Sequence, residues 1–254
     1  MEKKYSKTEI WATREDRKIY GQAYIPEGDG PFPLIIYLHE LLHTHKTGEY
    51  YADYFASKGI AVYLFDFCGG SPDSRSDGAM TEMSVMTEAC DVEAVYSYAV
   101  KWDFVDPDKI ILLGSSQGGF AAAIAVTRNP EHYAGLIIMY PPLLIRDEVR
   151  ELFGTKENVP KTYKVQGWFT AGRAYTLDIW DYDIYEEMKK YKKPVLIFHG
   201  NKDTTVDVSW SQKAEVAFPD AKLFVMDGGG HIFHGEIRKK AIELMMDYIN
   251  KILR

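Results

Sequence analysis

"ILLGSSQGGFAAA", Ile111 to Ala123, is the stretch that decides the reading of this chain. A buried-strand signal runs into it and an Ala-rich helix signal runs out of it. Between them, Gly114-Ser115-Ser116-Gln117-Gly118 fits G-x-S-x-G, the pattern of a nucleophile raised on a sharp, strained turn above a sheet. Side chains two residues to either side of Ser116 would collide with such a turn, so glycine is required there. The helix starts at once, which aims its dipole and its free N–H groups at a developing oxyanion. A plain Gly-rich turn ahead of a helix would also collect small residues. The strand–turn–helix context favours the nucleophile. Ser115 and Ser71 are rival serines, and the glycine bracket selects Ser116.

Working outward, strand and helix signals alternate. "EIWAT" and "KIYGQAYIP" read as an antiparallel pair joined by "REDRK". "PLIIYL", "IAVYLFD", "DPDKIILLG" and "AGLIIMYPP" hold apolar runs suited to strands buried on both faces. Helical spacing fills "TGEYYADYFASKG", "SVMTEACDVEAVYSYAVKW" and "QGGFAAAIAVTRNP". The alternation breaks after about Leu143. It resumes at Lys193 with strand "PVLIFHG", a helix around Val208 to Phe218, strand "AKLFVMDG" and a last helix from about Phe233. Such alternation predicts a mostly parallel sheet flanked by helices.

A serine nucleophile needs a base, and the base needs an orienting acid. In this kind of fold the chain order is Ser, then Asp or Glu, then His. Asp203 follows one downstream strand in "HGNKDTTV" and His231 follows the next in "MDGGGHIF". Both stand at carboxyl ends of strands, where open α/β sheets build their sites. Asp207 and His234 are the nearby alternatives. The glycine run before His231 suits close backbone approach. His199, at a strand–loop junction, reads as a packed or hydrogen-bonded histidine.

A second motif competes. His39-Glu40-Leu41-Leu42-His43 in "YLHELLHTH" is a literal H-E-x-x-H, which on a helix binds zinc. Here it opens at the end of a strand, in a strand-to-helix loop, and the longer form fails because Lys46 stands where a Gly belongs. Glu82 and Glu88 are conceivable third ligands, with nothing to single them out. No metal and no cofactor is expected.

The chain resembles the α/β-hydrolase superfamily, and within it the bacterial cinnamoyl (feruloyl) esterase branch. The resemblance runs from about Ile19 to the C-terminus and is carried by "YLHEL", "GSSQGG", "PVLIFHGNKD" and "GGGHIF". It implies an eight-stranded α/β-hydrolase core over residues 1–142 and 193–254, with a small cap inserted over 143–192. Ser116 matches the nucleophile, Asp203 the triad acid and His231 the base. The backbone N–H groups of Leu41 and Gln117 would form the oxyanion hole, so the H-E-x-x-H stretch becomes the oxyanion loop. Glu40 replaces the usual Gly there, and a positive φ would strain it. The cap is rich in aromatics (Phe153, Tyr163, Trp168, Phe169, Tyr175, Trp180, Tyr182 and Tyr185), which suit a planar phenolic acyl group or the cap's own core. In the resembling esterases a cap Tyr and a cap acid hold the phenol hydroxyl. Tyr175 matches the Tyr, and Asp147 or Glu148 the acid.

Composition sets the remaining bounds. The 254 residues suit one large α/β domain, 46% hydrophobic, with net charge −7 and scattered Lys and Arg. That argues against nucleic acid or an anionic membrane as partner, and the partner the resemblance implies is a small-molecule ester. A homodimer stays open. Two cysteines, Cys68 and Cys90, make no disulfide framework, and with no apolar leader a cytoplasmic setting is the simpler expectation. Cys68 reads as a packing residue, and the polar loop "FCGGSPDSRSDG" as lining the site. The expected activity is a serine carboxylesterase acting on hydroxycinnamoyl-type esters. The rivals are a general short-acyl carboxylesterase and a small serine peptidase of the prolyl-oligopeptidase type, although 254 residues leave no room for the propeller such peptidases usually carry. Intact Ser, Asp and His argue against a non-catalytic binding protein, and Ser rather than Cys at position 116 against a dienelactone-type hydrolase.

Overall fold

The computed structural model describes residues 4–165 and 167–253. Its strands are β1 (Tyr5–Arg14), β2 (Arg17–Pro26), β3 (Phe32–Leu38), β4 (Ala61–Phe65), β5 (Val105–Ser115), β6 (Gly135–Met139), β7 (Thr162–Val165), β8 (Phe169–Gly172), β9 (Val195–Gly200) and β10 (Ala221–Met226). Among the described residues, eight of them form one sheet in the order β1-β2-β4-β3-β5-β6-β9-β10. Only β2 runs against its neighbours. A two-residue turn joins β1 to β2, whereas parallel neighbours need long crossovers. Helices α1 (Glu49–Ser57), α2 (Val85–Ala99), α3 (Gln117–Arg128) and α7 (Ser209–Ala217) supply them, and α8 (Gly235–Ile252) closes the chain. This is the α/β-hydrolase fold.

The continuous apolar runs have a simple cause. Successive side chains of a strand point to opposite faces, and here both faces are covered. Leu34, Ile36 and Leu38 of β3 join a core with Val92 of α2 and Phe120 of α3. Ile35 and Tyr37 join a second core with Phe55 of α1 and Met245 of α8.

Residues 143–192 are more ordered than the break in periodicity suggests. They hold α4 (Ile145–Phe153), the antiparallel hairpin β7–β8, α5 (Arg173–Leu177) and α6 (Ile184–Met188). Elements of four to nine residues span too few turns to display a period. Edge-on pairs Phe153–Tyr163 and Phe169–Tyr175 knit this stretch together, with ring centroids 4.9 and 5.4 Å apart. Phe169, Tyr175 and Trp180 are buried in the same core as Leu34 and Phe120, so these aromatics join the stretch to the body of the fold.

Candidate active site

The elbow is strained in the way its sequence demands. Ser116 has φ 49° and ψ −123°, a region that L side chains rarely occupy. A Cβ on Gly114 would come 2.5 Å from the Gly118 carbonyl oxygen. One on Gly118 would come 2.3 Å from the Leu38 oxygen and 2.5 Å from that of His39. Glycine at both positions thus lets the turn close on itself and on the end of β3. The Ser116 N–H donates to the Met139 carbonyl at 2.9 Å, and its own carbonyl accepts from Gly119 and Phe120. The Gln117 amide, first in α3, belongs to the turn whose N–H groups have no intrahelical acceptor.

Three side chains that are far apart in sequence meet here. Ser116 Oγ lies 2.9 Å from His231 Nε2, and His231 Nδ1 lies 2.8 Å from Asp203 Oδ2. The other Asp203 oxygen accepts from the amides of Thr205 and Val206 at 2.8 and 2.9 Å. Burial pushes the Asp203 carboxyl up, but the bonds from His199, His231 and the Val206 amide outweigh it and hold it well below the usual carboxylate range. His231 Nδ1–H faces this carboxylate, leaving Nε2 to accept the Ser116 proton. Along such a chain a hydroxyl can lose its proton while it attacks an electrophile.

His199 is wholly buried and does more than pack. Its Nε2 stands 2.9 Å from the Val206 carbonyl and 3.2 Å from Asp203 Oδ2, and its Nδ1 stands 2.7 Å from Ser211 Oγ. A carbonyl can only accept, so Nε2 carries the proton and also braces Asp203. The Tyr140 ring, at φ 41°, packs on His231 at 4.9 Å. Nothing in the local sequence signals either contact. His234 is exposed at the start of α8, and Asp207 caps the Ser209 amide at 2.9 Å, so neither alternative joins the chain. Ser115 is buried against the Tyr37 hydroxyl, and Ser71 donates to the Leu42 carbonyl.

The H-E-x-x-H stretch forms no helix. His39 donates from Nδ1 to the Glu40 carbonyl at 2.7 Å and accepts at Nε2 from the Phe67 amide at 3.0 Å, so both ring nitrogens are occupied by backbone. His43 is exposed. Glu82 pairs with Arg17, Glu88 is bonded to Gln117, and no cluster of three metal-ligating side chains occurs among the described residues. Glu40 to His43 make a tight turn closed by His43 N–H to Glu40 O at 3.1 Å. The positive φ falls on Leu42, at 66°, and not on Glu40. Glu40 instead turns its carboxylate to the Thr47 hydroxyl at 2.8 Å, so the strain expected at Glu40 lies two residues on. The Leu42 amide donates to Gly70 O, whereas the Leu41 amide has no such bond among the described residues, and Leu41, like Gln117, lines the cavity.

The polar loop 67–78 does not line the cavity. It braces the turn from behind through the Gly70 carbonyl and Ser71 hydroxyl, because its polar groups are used holding backbone. Cys68 is buried, and burial pushes its thiol up to about 12, in keeping with a packing role.

A cavity of about 260 Å³ opens above Ser116. Its walls are Leu41 and Leu42 of the 40–43 turn, then Pro142, Leu144 and Ile145, the hairpin residues Val165 and Trp168, and Tyr175 and Glu148. Of the two candidate acids, Glu148 lines this wall, one turn from buried Ile145. Burial and neighbouring Glu151 push its carboxyl up. Asp147 lies off the cavity, 3.3 Å from Arg146 Nε. Tyr175 is buried, and its hydroxyl donates to Gln117 Oε1 at 2.9 Å, a bond the sequence reading did not foresee.

Residues 47–254 match the prolyl oligopeptidase family, a span that holds all three residues of the hydrogen-bonded chain. The chain belongs to the prolyl oligopeptidase family. It is an α/β hydrolase, and the expected superfamily is thereby shown. It is 20% identical to the quorum-quenching protein AidA of Acinetobacter baumannii, over 94% of this chain and 92% of that one. Among solved structures, Est1E from Butyrivibrio proteoclasticus with ferulic acid bound superposes with a TM-score of 0.83 at 24% identity, covering 95% of this chain and 99% of that one. The esterase EaEST from Exiguobacterium antarcticum gives 0.73 at 19% identity, covering 96% and 100%. No helix among the described residues is long and apolar enough to cross a membrane.

Proposed function

We propose that this protein is a serine carboxylic-ester hydrolase that takes hydroxycinnamoyl-type acyl groups. The observation that carries the reading is the unbroken chain from Ser116 Oγ through His231 to Asp203 beneath a mostly apolar cavity. Ser116 Oγ attacks the ester carbonyl carbon as its proton passes to His231 Nε2. The carbonyl oxygen becomes an oxyanion between the Leu41 and Gln117 amides. Collapse expels the alcohol, which takes the proton from His231, and leaves an acyl-enzyme. Water, deprotonated by the same His231, then releases the acid and restores Ser116.

The acyl group would lie between Trp168, Ile145 and Val165, with its polar end at Tyr175 and Glu148. The likeness to the ferulate-bound Est1E fold agrees with this reading. Family membership favours a second reading, a small serine peptidase. The test is a panel of feruloyl, p-coumaroyl, acetyl and butyryl esters beside Xaa-Pro anilides, with EDTA and an organophosphonate as inhibitors. We expect hydroxycinnamoyl esters to have the highest kcat/KM, EDTA to be without effect, and the phosphonate to label Ser116. Preference for the anilides would establish the peptidase reading. A zinc-restorable loss to EDTA would refute serine catalysis.

A further inference from the structure

Glu88 sits on α2, 1% exposed, beside the elbow. Among the described residues no Lys, Arg or His pairs with it. Its Oε1 accepts from Gln117 Nε2 at 2.8 Å, and its Oε2 has no hydrogen-bond partner among the described residues. Burial, with Asp91 adding repulsion against the opposing Gln117 bond, pushes the carboxyl up to about 8. A buried carboxyl with one oxygen unmet is destabilising, and an apolar side chain would fill the space without that penalty. The position therefore asks what the one bond accomplishes.

The bond orients an amide. Gln117 Nε2 is flanked by Glu88 Oε1 and, at 3.4 Å, by Met83 Sδ, and a thioether can only accept. Glu88 Oε1 serves as the acceptor, and Oε2, which has no partner among the described residues, is the oxygen left to carry a proton. Gln117 Oε1 is then turned to the cap, where it takes the Tyr175 hydroxyl proton at 2.9 Å. A phenol has one proton. With it committed to Gln117, Tyr175 offers the cavity lone pairs alone.

We propose that Glu88 is a positioning residue that fixes, through Gln117, the hydrogen-bond polarity of Tyr175, so that the acyl cavity favours esters whose acyl group ends in a hydroxyl or N–H donor over those ending in an acceptor alone. The proposal rests on the acyl-pocket reading above and adds the group that sets its selectivity. Glu148, which also lines the wall, attracts donors too, so a wild-type preference is not diagnostic by itself. The change on altering Glu88 is.

The test measures binding of 4-hydroxycinnamate and 4-methoxycinnamate by titration calorimetry to wild type, Glu88→Leu and Gln117→Met. In Glu88→Leu no side-chain oxygen at position 88 accepts from the Gln117 amide, so Gln117 can turn and Tyr175 can donate. In Gln117→Met the Tyr175 proton is free. The ratio of methoxy to hydroxy Kd should fall in both variants by about threefold to tenfold, the worth of one neutral hydrogen bond. Taking the ratio within each protein cancels general loosening and the bulk of the methyl group. Glu88→Ala, which also removes the acceptor, carries the same expectation if the leucine variant does not fold. A Glu88 variant with the wild-type ratio, or a larger one, overturns the proposal whatever Gln117→Met does. If neither acid binds wild type, the acyl-pocket reading itself fails and takes this inference with it, an outcome visible before any variant is compared.

Discussion

Gly118→Ala puts the elbow to its sharpest test. The added Cβ would start 2.3 Å from the Leu38 carbonyl oxygen and 2.5 Å from that of His39, and both contacts must open beyond 3.0 Å. Both obstacles are backbone, so no side chain can swing aside. Either α3 lifts from the end of β3, carrying the Gln117 amide with it, or the 39–41 segment retreats, carrying the Leu41 amide. Each route pulls one of the two proposed oxyanion donors from the other. Loss of one such donor costs about 10²–10³ in turnover, or roughly 2.7–4 kcal/mol, and a misplacement of about 1 Å can cost 10². We expect kcat to fall by about 10²-fold, with KM changed far less because the cap is untouched. Initial rates on a preferred ester, with circular dichroism to verify folding, make the assay. Gly119→Ala is the control, since its Cβ would meet its nearest neighbour, the Gly114 oxygen, at 3.1 Å and needs only a small adjustment. If Gly118→Ala keeps activity within a fewfold of wild type at an unchanged Tm, the close packing of loop on elbow is not what aims the donors.

Three further outcomes follow from other parts of the fold. His231→Gln should lower kcat by a thousandfold or more while His234→Gln stays near wild type; the reverse pattern in steady-state kinetics would move the base to His234. Glu88 is raised in the folded state to about 8, so the stability its burial permits is fully present below the unfolded carboxyl pKa and is lost as pH rises through the folded value. At about 1.4 kcal/mol per pKa unit this loss reaches several kcal/mol. Glu88→Gln should therefore raise Tm more at pH 8 than at pH 5, and an equal shift at both, read by calorimetry, would contradict a raised Glu88. Glu15 holds φ 56° in the exposed β1–β2 turn, where a side chain costs roughly 1–2 kcal/mol. Glu15→Gly should stabilise by about 0.5–1 kcal/mol in urea unfolding, and a loss of stability would show that the turn relaxes around Glu15.

The amino-acid sequence by itself determined the parts of this protein whose physics is local. Apolar runs bounded by helical stretches declared a parallel sheet because strands buried on two faces can hardly look otherwise. The bracket of Gly114 and Gly118 pointed to Ser116 because a side chain at either would strike the turn or the end of β3. The positions of Asp203 and His231 followed from strand ends and chain order. The cap was less legible, since elements of five or so residues have no period to show. Which backbone of the 39–43 turn takes the positive φ, why Glu148 rather than Asp147 meets the cavity, and that the 67–78 loop braces instead of lining were decided by packing. So were the bonds of His199 to Asp203, of Tyr175 to Gln117 and of Gln117 to Glu88. The last two join residues 58 and 29 positions apart. A hydrogen-bonding side chain carries in the sequence only its capacity to donate or accept. Its partner is fixed when strand order and helix docking bring one buried group against another, and that choice belongs to the tertiary structure.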